Sequence, residues 1–209
     1  MFTGIVQGQA ALINKTGDEN LSTLTFQFPE QSLNNIREGA SIAINGTCLT
    51  VTGFDLNLQT ANFDAVAETL RLTNIGDLQI GDKVNFERAA KIGDEIGGHL
   101  MSGHIHSNVA ILKIETNSKN CTLFLDMTDE IKPFILSKGF VGLNGCSLTI
   151  GDVTDTYFTV YLIPETLKIT TFGKLSAGDK VNLELDSQTQ TIVETVARVL
   201  ALKNNLNRD

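Results

Sequence analysis

Three histidines, His99, His104 and His106, fall within eight residues, and Cys48 and Ser147 hold matching places in two copies of one motif. Imidazole moves protons near neutral pH and ligates metals; a thiol or hydroxyl supplies a nucleophile or a hydrogen-bond donor. The copies read Asn45-Gly46-Thr47-Cys48-Leu49-Thr50-Val51 and Asn144-Gly145-Cys146-Ser147-Leu148-Thr149-Ile150, 99 residues apart. Thr50 and Thr149 are therefore equivalent, and both can offer hydroxyls to a ligand. Asp186 breaks the symmetry, because its counterpart in the first copy is Ala89. Lys138, beside Gly139, can counter an anionic ligand.

Each candidate has a plainer reading. Cysteine fills small gaps at a barrel rim, and threonine on a strand is ordinary. A lone aspartate or lysine is commonly just solvated. The histidine spacing is not that of a helical zinc motif, so one poised imidazole acting as acid, base or hydrogen-bond partner fits better than a metal site. No phosphate-cradling glycine loop, Gly-x-Ser-x-Gly elbow or His-Glu-x-x-His helix occurs. Spacing alone implies two non-identical pockets on a duplicated scaffold.

The duplication extends well beyond the motif. Thr3-Gly4-Ile5-Val6 returns as Ser102-Gly103-His104-Ile105, again 99 residues on. Past the motif the offset is 97: Glu68-Thr69-Leu70 returns as Glu165-Thr166-Leu167, and Gly81-Asp82-Lys83-Val84-Asn85-Phe86-Glu87 as Gly178-Asp179-Lys180-Val181-Asn182-Leu183-Glu184. A two-residue deletion of this kind belongs in a surface loop. The chain is two copies of a module of about 90 to 100 residues, a common domain size, followed by a tail.

Within each copy the apolar stretches are short and alternate with period two. Segments 24–28, 41–44, 48–54, 59–66 and 83–87 read as strands, as do 109–114, 121–125 and 157–162. Asn45-Gly46 predicts a tight hairpin, since both residues tolerate positive φ. Segments 68–73 and 131–136 read as short helical turns, and 91–99 as an exposed connection. Six short strands with a helical insert fit a small closed barrel. From Thr189, Ile192, Val196, Val199 and Leu200 recur at helical spacing, giving an amphipathic helix of about four turns. Its apolar stripe must cover a barrel or meet copies of itself.

Composition excludes several roles. The net charge of −8 repels nucleic-acid phosphates overall, and no local basic run offsets it. No apolar run is long enough to span a membrane, and Met1 to Val6 lacks the basic start of a secretory segment. Three unpaired-looking cysteines point to a reducing compartment, so a soluble cytoplasmic protein is expected.

At Met1-Phe2-Thr3-Gly4-Ile5-Val6 and the first Asn-Gly motif, the chain resembles the riboflavin synthase alpha-type family. The resemblance continues through Gly97-Gly98-His99-Leu100-Met101-Ser102-Gly103-His104, the second Asn-Gly motif, Ile163-Pro164-Glu165-Thr166-Leu167 and Asp186-Ser187-Gln188-Thr189. It implies an all-β fold of two tandem six-stranded Greek-key closed β-barrels, spanning 1–97 and 98–187, with a C-terminal helix over 188–209 that helps form a homotrimer. It further implies transfer of a four-carbon unit between two molecules of 6,7-dimethyl-8-ribityllumazine. The products are riboflavin and 5-amino-6-(ribitylamino)uracil, and no metal or organic cofactor takes part.

Carried over by residue, the resemblance places one lumazine in the N-terminal barrel near Gly4, Ile5, Val6, Cys48, Thr50, Glu68 and Thr69, with Ser41 in the same substrate-binding set. The other lies in the C-terminal barrel near Ser102, Gly103, His104, Lys138, Ser147, Thr149, Pro164 and Thr166. Residues His104, Ser147, Cys48, Thr149 and Asp186 form the implied catalytic set. The reaction then occurs between the N-terminal barrel of one subunit and the C-terminal barrel of its neighbour. His106 and Cys146 depart from the family pattern. Non-catalytic lumazine- or flavin-binding antenna proteins share the resemblance, but the intact Ser102-Gly103-His104 and Ser147-Leu148-Thr149 favour the enzyme. A scaffold adaptor is a third class, distinguished by failure to bind either ligand.

Overall fold

The alternation seen in the sequence becomes inside-outside alternation around two barrels. In Leu21–Gln27, Leu24 and Phe26 point inward; in Thr60–Val66, Ala61, Phe63 and Ala65 do. Phe26 and Phe63 meet edge to face with ring centroids 6.0 Å apart, and burying each ring stabilises the core by about 2 to 3 kcal/mol. The computed structural model describes residues 1–117 and 120–206.

The first barrel comprises β1 (Gly8–Gly17), β2 (Leu21–Gln27), β3 (Ser41–Ile44), β4 (Thr47–Asp55), β5 (Thr60–Val66) and β6 (Lys83–Arg88). The second comprises β7 (Ser107–Thr116), β8 (Cys121–Asp126), β9 (Phe140–Leu143), β10 (Cys146–Val153), β11 (Tyr157–Leu162) and β12 (Lys180–Leu185). Both sheets are antiparallel and closed, and the order around the first is β1-β2-β5-β4-β3-β6. The second repeats that order, and closure leaves no unpaired edge for another chain. Short helices α1 (Ala67–Leu72) and α2 (Pro164–Ile169) follow the fifth strand of each barrel. The segment read as a helical turn at 131–136 is a 3-10 turn at Lys132–Phe134.

Both Asn-Gly pairs form the expected two-residue turns, with φ of 44° and 81° at Asn45 and Gly46 and 42° and 79° at Asn144 and Gly145. The offset falls from 99 to 97 in the hairpin after β4, since β4 and β10 start 99 residues apart and β5 and β11 start 97 apart.

An internal twofold relates the barrels, and the two turns pack on it. A Cβ on Gly46 would lie 2.6 Å from the Gly145 nitrogen, and one on Gly145 2.8 Å from the Gly46 nitrogen. Around this contact the asparagines bond reciprocally: Asn85 Nδ2 donates to Asn144 O and Asn182 Nδ2 to Asn45 O, each at 2.9 Å. Phe2 and Met101, also equivalent, pair as an antiparallel bridge. The barrels share a buried polar seam.

Helix α3 (Ser187–Leu206) extends the tail beyond the four turns read from the sequence; residues 207–209 of the expected 188–209 segment lie outside the described residues. Asp186 accepts from the Thr189 N–H at 2.9 Å and its hydroxyl at 2.7 Å, capping the helix. The helix packs against the 3-10 turn, but Ile192, Val196, Val199 and Leu200 stay exposed.

Gly39 and Gly46 have similar left-handed backbones, φ 83° and 81°, yet a Cβ on Gly39 meets open space. Ala at Gly39 is expected to cost about 1 kcal/mol from backbone strain alone. Ala at Gly46 should cost about 1 to 3 kcal/mol more through the clash at the seam. Equal shifts of the urea midpoint would show that the turns do not bear on each other.

Candidate active site

The strand after each Asn-Gly turn presents its outward side chains beside an arm of the other repeat. In β4, Leu49 and Val51 fill the core, so Cys48 and Thr50 face outward. Thr50 pairs across the ladder with Ser41 and Cys48 with Ala43. In β10, Ser147 and Thr149 face outward, opposite Gly142 and Phe140.

The segments that lie against these strands cross between barrels. Ser147 N donates to Gly4 O and Cys48 N to Gly103 O, both at 2.9 Å. Gly4 and Gly103 have φ of 74° and 81°, and a Cβ on either would lie 2.4 Å from Ser147 Cβ or 2.5 Å from Cys48 Cβ. Only glycine fits there. The grouping expected from the sequence is thus exchanged: Gly4, Ile5 and Val6 accompany Ser147, with Val6 in the second barrel's core, while Ser102, Gly103 and His104 accompany Cys48. The reason is the twofold, which brings each arm onto the opposite barrel.

Two buried carboxylates brace the arms. Glu87 Oε1 accepts from Thr3 N and Oγ1, each at 2.7 Å, and Oε2 from Gly4 N at 3.0 Å. Its equivalent Glu184 accepts from Ser102 N at 2.6 Å, Ser102 Oγ at 2.9 Å and Gly103 N at 3.1 Å. Burial pushes both carboxyls above the usual value, against the pull of these donors.

The histidines diverge. His99, read as part of an exposed connection, is 7% exposed; its Nδ1 lies 2.6 Å from Ser147 Oγ, and its ring stacks on Phe140 at 5.0 Å. The apolar stacking partner and the Ser147 contact draw that end of the connection inward. Burial lowers the His99 pKa, opposed by the nearby Asp186 charge. His104 is exposed and precedes β7. His106 Nε2 lies 3.2 Å from Glu130. Among the described residues no group of three or more His, Cys, Asp or Glu is arranged to hold a metal ion.

The remaining candidates are more peripheral. Glu68 is exposed and bonded to the Arg71 guanidinium at 2.8 and 2.9 Å, with Thr69 next to it in α1. Pro164 opens α2, where its fixed φ suits the first turn, and Thr166 follows. Lys138 adopts φ 69° where the first barrel has Gly39. Asp186 serves as the α3 cap; burial raises its pKa, but the Thr189 bonds, the Gln188 N–H and the His99 charge together hold the carboxyl below its usual value. Sequence reading missed the pairing of His99 with Ser147 and the role of Glu87 and Glu184 as acceptors. The repeated Asn-x-Glu of 85–87 and 182–184 was the available signal.

Two closed barrels, each presenting outward hydroxyl or thiol side chains after an Asn-Gly turn, define a tandem-barrel protein. The family described as Lumazine binding domain matches the chain twice, over residues 3–89 and 102–186. The riboflavin synthase of Escherichia coli is 51% identical over 206 residues, covering 98% of this chain and 96% of that one. Those of Buchnera aphidicola (subsp. Schizaphis graminum) and Chlamydia pneumoniae are 43% and 38% identical, each over 96% of this chain and 96% and 98% of their own. Among solved structures, LumP complexed with riboflavin aligns with a TM-score of 0.82 at 26% identity, covering 90% of this chain and all of that one. LumP complexed with 6,7-dimethyl-8-(1'-D-ribityl) lumazine gives 0.80 at 24%, with the same coverage. The chain belongs to the riboflavin synthase family of lumazine-binding proteins.

His99 makes stability pH-dependent in a defined sense. Its folded pKa lies below the ordinary 6.5, so as pH falls through 6.5 the unfolded chain takes up a proton that the folded chain resists. The contribution is complete above 6.5 and lost below it, by at most about 1.4 kcal/mol per pH unit. Between pH 7.5 and 5.5, His99→Asn should lose less stability than the parent in urea titrations. Equal losses would mean that His99 protonates as freely in the fold as out of it.

Proposed function

We propose that this chain catalyses the dismutation of two 6,7-dimethyl-8-ribityllumazine molecules, moving a four-carbon unit to give riboflavin and 5-amino-6-(ribitylamino)uracil. The reading is carried by two lumazine-family pockets in one chain, equipped with unlike groups at equivalent places. Cys48 and His104 belong to one; Ser147, Lys138 and the buried His99 belong to the other. The 51% identity to a riboflavin synthase over nearly the full length supports catalysis over the antenna role. Units 1–97 and 98–187 are proposed as the two lumazine-binding barrels and 188–209 as the oligomerisation helix.

The chemistry requires loss of a proton from the 7-methyl group of one lumazine and attack of the resulting carbanion on the other. In this reading His104 serves proton transfer beside the Cys48 pocket. Ser147, held by His99, and Thr149 donate hydrogen bonds to developing negative charge in the second pocket. Cys48 donates to, or assists addition at, the ring beside it, and Asp186 keeps a charge near His99. Binding at both pockets replaces a bimolecular encounter by a fixed stack, worth about 7 to 11 kcal/mol when orientation is good. Gly4, Ile5 and Val6 line the Ser147 pocket with Pro164 and Thr166. Ser102 and Gly103 line the Cys48 pocket with Ser41, Thr50, Glu68 and Thr69.

Two rings can react only if two pockets meet. The exposed stripe of Ile192, Val196, Val199 and Leu200 on α3 supports a homotrimer in which one subunit's Cys48 pocket faces its neighbour's Ser147 pocket. The free cysteines support residence in the reducing cytoplasm.

Incubation with 6,7-dimethyl-8-ribityllumazine should yield riboflavin, read by absorbance and chromatography. Binding of lumazine without turnover would establish an antenna instead, and absence of both would leave a scaffold. His104→Ala should lower kcat by about 10²-fold or more, within the range for a general acid or base, with binding largely kept; unchanged turnover removes His104 from the mechanism. Deleting residues 189–209 should shift sedimentation from trimer to smaller species, and an intact trimer would assign assembly elsewhere.

A further inference from the structure

Glu87 and Glu184 are 3% and 4% exposed, and among the described residues neither is paired with a lysine or arginine. A buried carboxylate not paired with lysine or arginine is destabilising unless several donors satisfy it, and an apolar side chain is the cheaper occupant of an ordinary barrel seam; the N-terminal ammonium adds a favourable charge to Glu87 only. Here the hydrogen-bond donors all come from the arms that cross between barrels. Glu87 holds Thr3 and Gly4; Glu184 holds Ser102 and Gly103. Beyond the carboxylate, the Phe2–Met101 bridge ties the two arms to each other, and one backbone bond ties each arm to the strand of the opposite barrel: Gly4 O to Ser147 N, and Gly103 O to Cys48 N. The arms have no slack, because their glycine α-carbons sit directly against the Ser147 and Cys48 side chains.

We propose that the two glutamates are positioning residues that act crosswise: Glu184, in the second barrel, sets the Cys48–His104 pocket of the first, and Glu87, in the first barrel, sets the Ser147 pocket of the second. Glu184 fixes Ser102 and Gly103, whose hydroxyl and carbonyl meet His104 N at 3.1 Å and Cys48 N at 2.9 Å. Glu87 fixes Thr3 and Gly4 in the same way, so Ile5 and Val6 arrive at the Ser147 pocket in register. Neither pocket is complete on its own barrel. The geometric part of this proposal stands independently of the reaction; its kinetic part rests on the lumazine dismutation proposed above.

The test uses the full chain with Glu184→Gln and Glu87→Gln. Glutamine keeps the volume and one acceptor, but turns the other oxygen into an NH2 that opposes the Gly103 or Gly4 N–H. Amide hydrogen exchange is read at Cys48 and Ser147 by NMR. Glu184→Gln should speed exchange at Cys48 by about tenfold or more while Ser147 keeps its rate, and Glu87→Gln should do the reverse. In the lumazine assay each variant should lose about tenfold or more in kcat with KM within about threefold, as misplacement of reacting groups predicts. If exchange rises in the substituted residue's own barrel, or equally at both amides, the crosswise role is wrong. Crossed exchange with unchanged kcat would overturn the catalytic consequence. A parent protein that turns over no lumazine would refute the reaction and leave the exchange result to judge the geometry. Should a glutamine variant fail to fold, Ser102→Ala and Thr3→Val remove one donor from each clamp and are read identically.

Discussion

The carbonyl of Gly4 on the amide of Ser147, and that of Gly103 on the amide of Cys48, tie each repeat to the other. Each bond joins an arm from one repeat to the strand of the other, and each tolerates nothing larger than glycine in the arm. Net, a backbone hydrogen bond contributes only about 0.5 to 1.5 kcal/mol. Its importance here is geometric: a buried strand amide with no partner would be destabilising by more than the bond contributes, so the arm must be present.

This exchange explains why the seam between the barrels is polar. Asn45, Asn85, Asn144 and Asn182 bond across the twofold, and Asn74 and Thr171 add their own amides to the set. An apolar seam would have allowed the barrels to slide or rotate. A network in which every amide has one satisfied arrangement fixes the relation between the halves. That relation decides which arm reaches which strand, and so which side chains lie together.

Within this symmetric frame the two halves have been made unlike. Cys48 corresponds to Ser147, Ser41 to Phe140, Gly39 to Lys138 and Ala89 to Asp186. The second half thus gains an aromatic platform for His99, a lysine held in a left-handed backbone and a carboxylate near the imidazole. The first half gains the exposed His104 through the arm that crosses to it. Two identical substrates meeting such pockets would be held in different electrostatic surroundings, the condition for one to give up a fragment and the other to accept it.

Local periodicity and internal repetition carried the barrels, both Asn-Gly turns, the surface hairpin that absorbs the two-residue deletion and the apolar stripe of α3. These depend on near neighbours along the chain, because strand alternation and positive-φ turns are local constraints. The chain's own symmetry also marked Cys48 and Ser147 as the positions to watch. Other features were decided by the tertiary structure alone. Asn85 and Glu87 alternate with apolar residues as a solvent-facing edge would, yet they are buried, since alternation reports that a face is polar and not what covers it. His99 sits in a glycine-rich connection that looks exposed, and only packing against Phe140 and Ser147 draws it inside. The partner of each arm is likewise set by a twofold between distant segments, a relation that no local pattern of residues encodes.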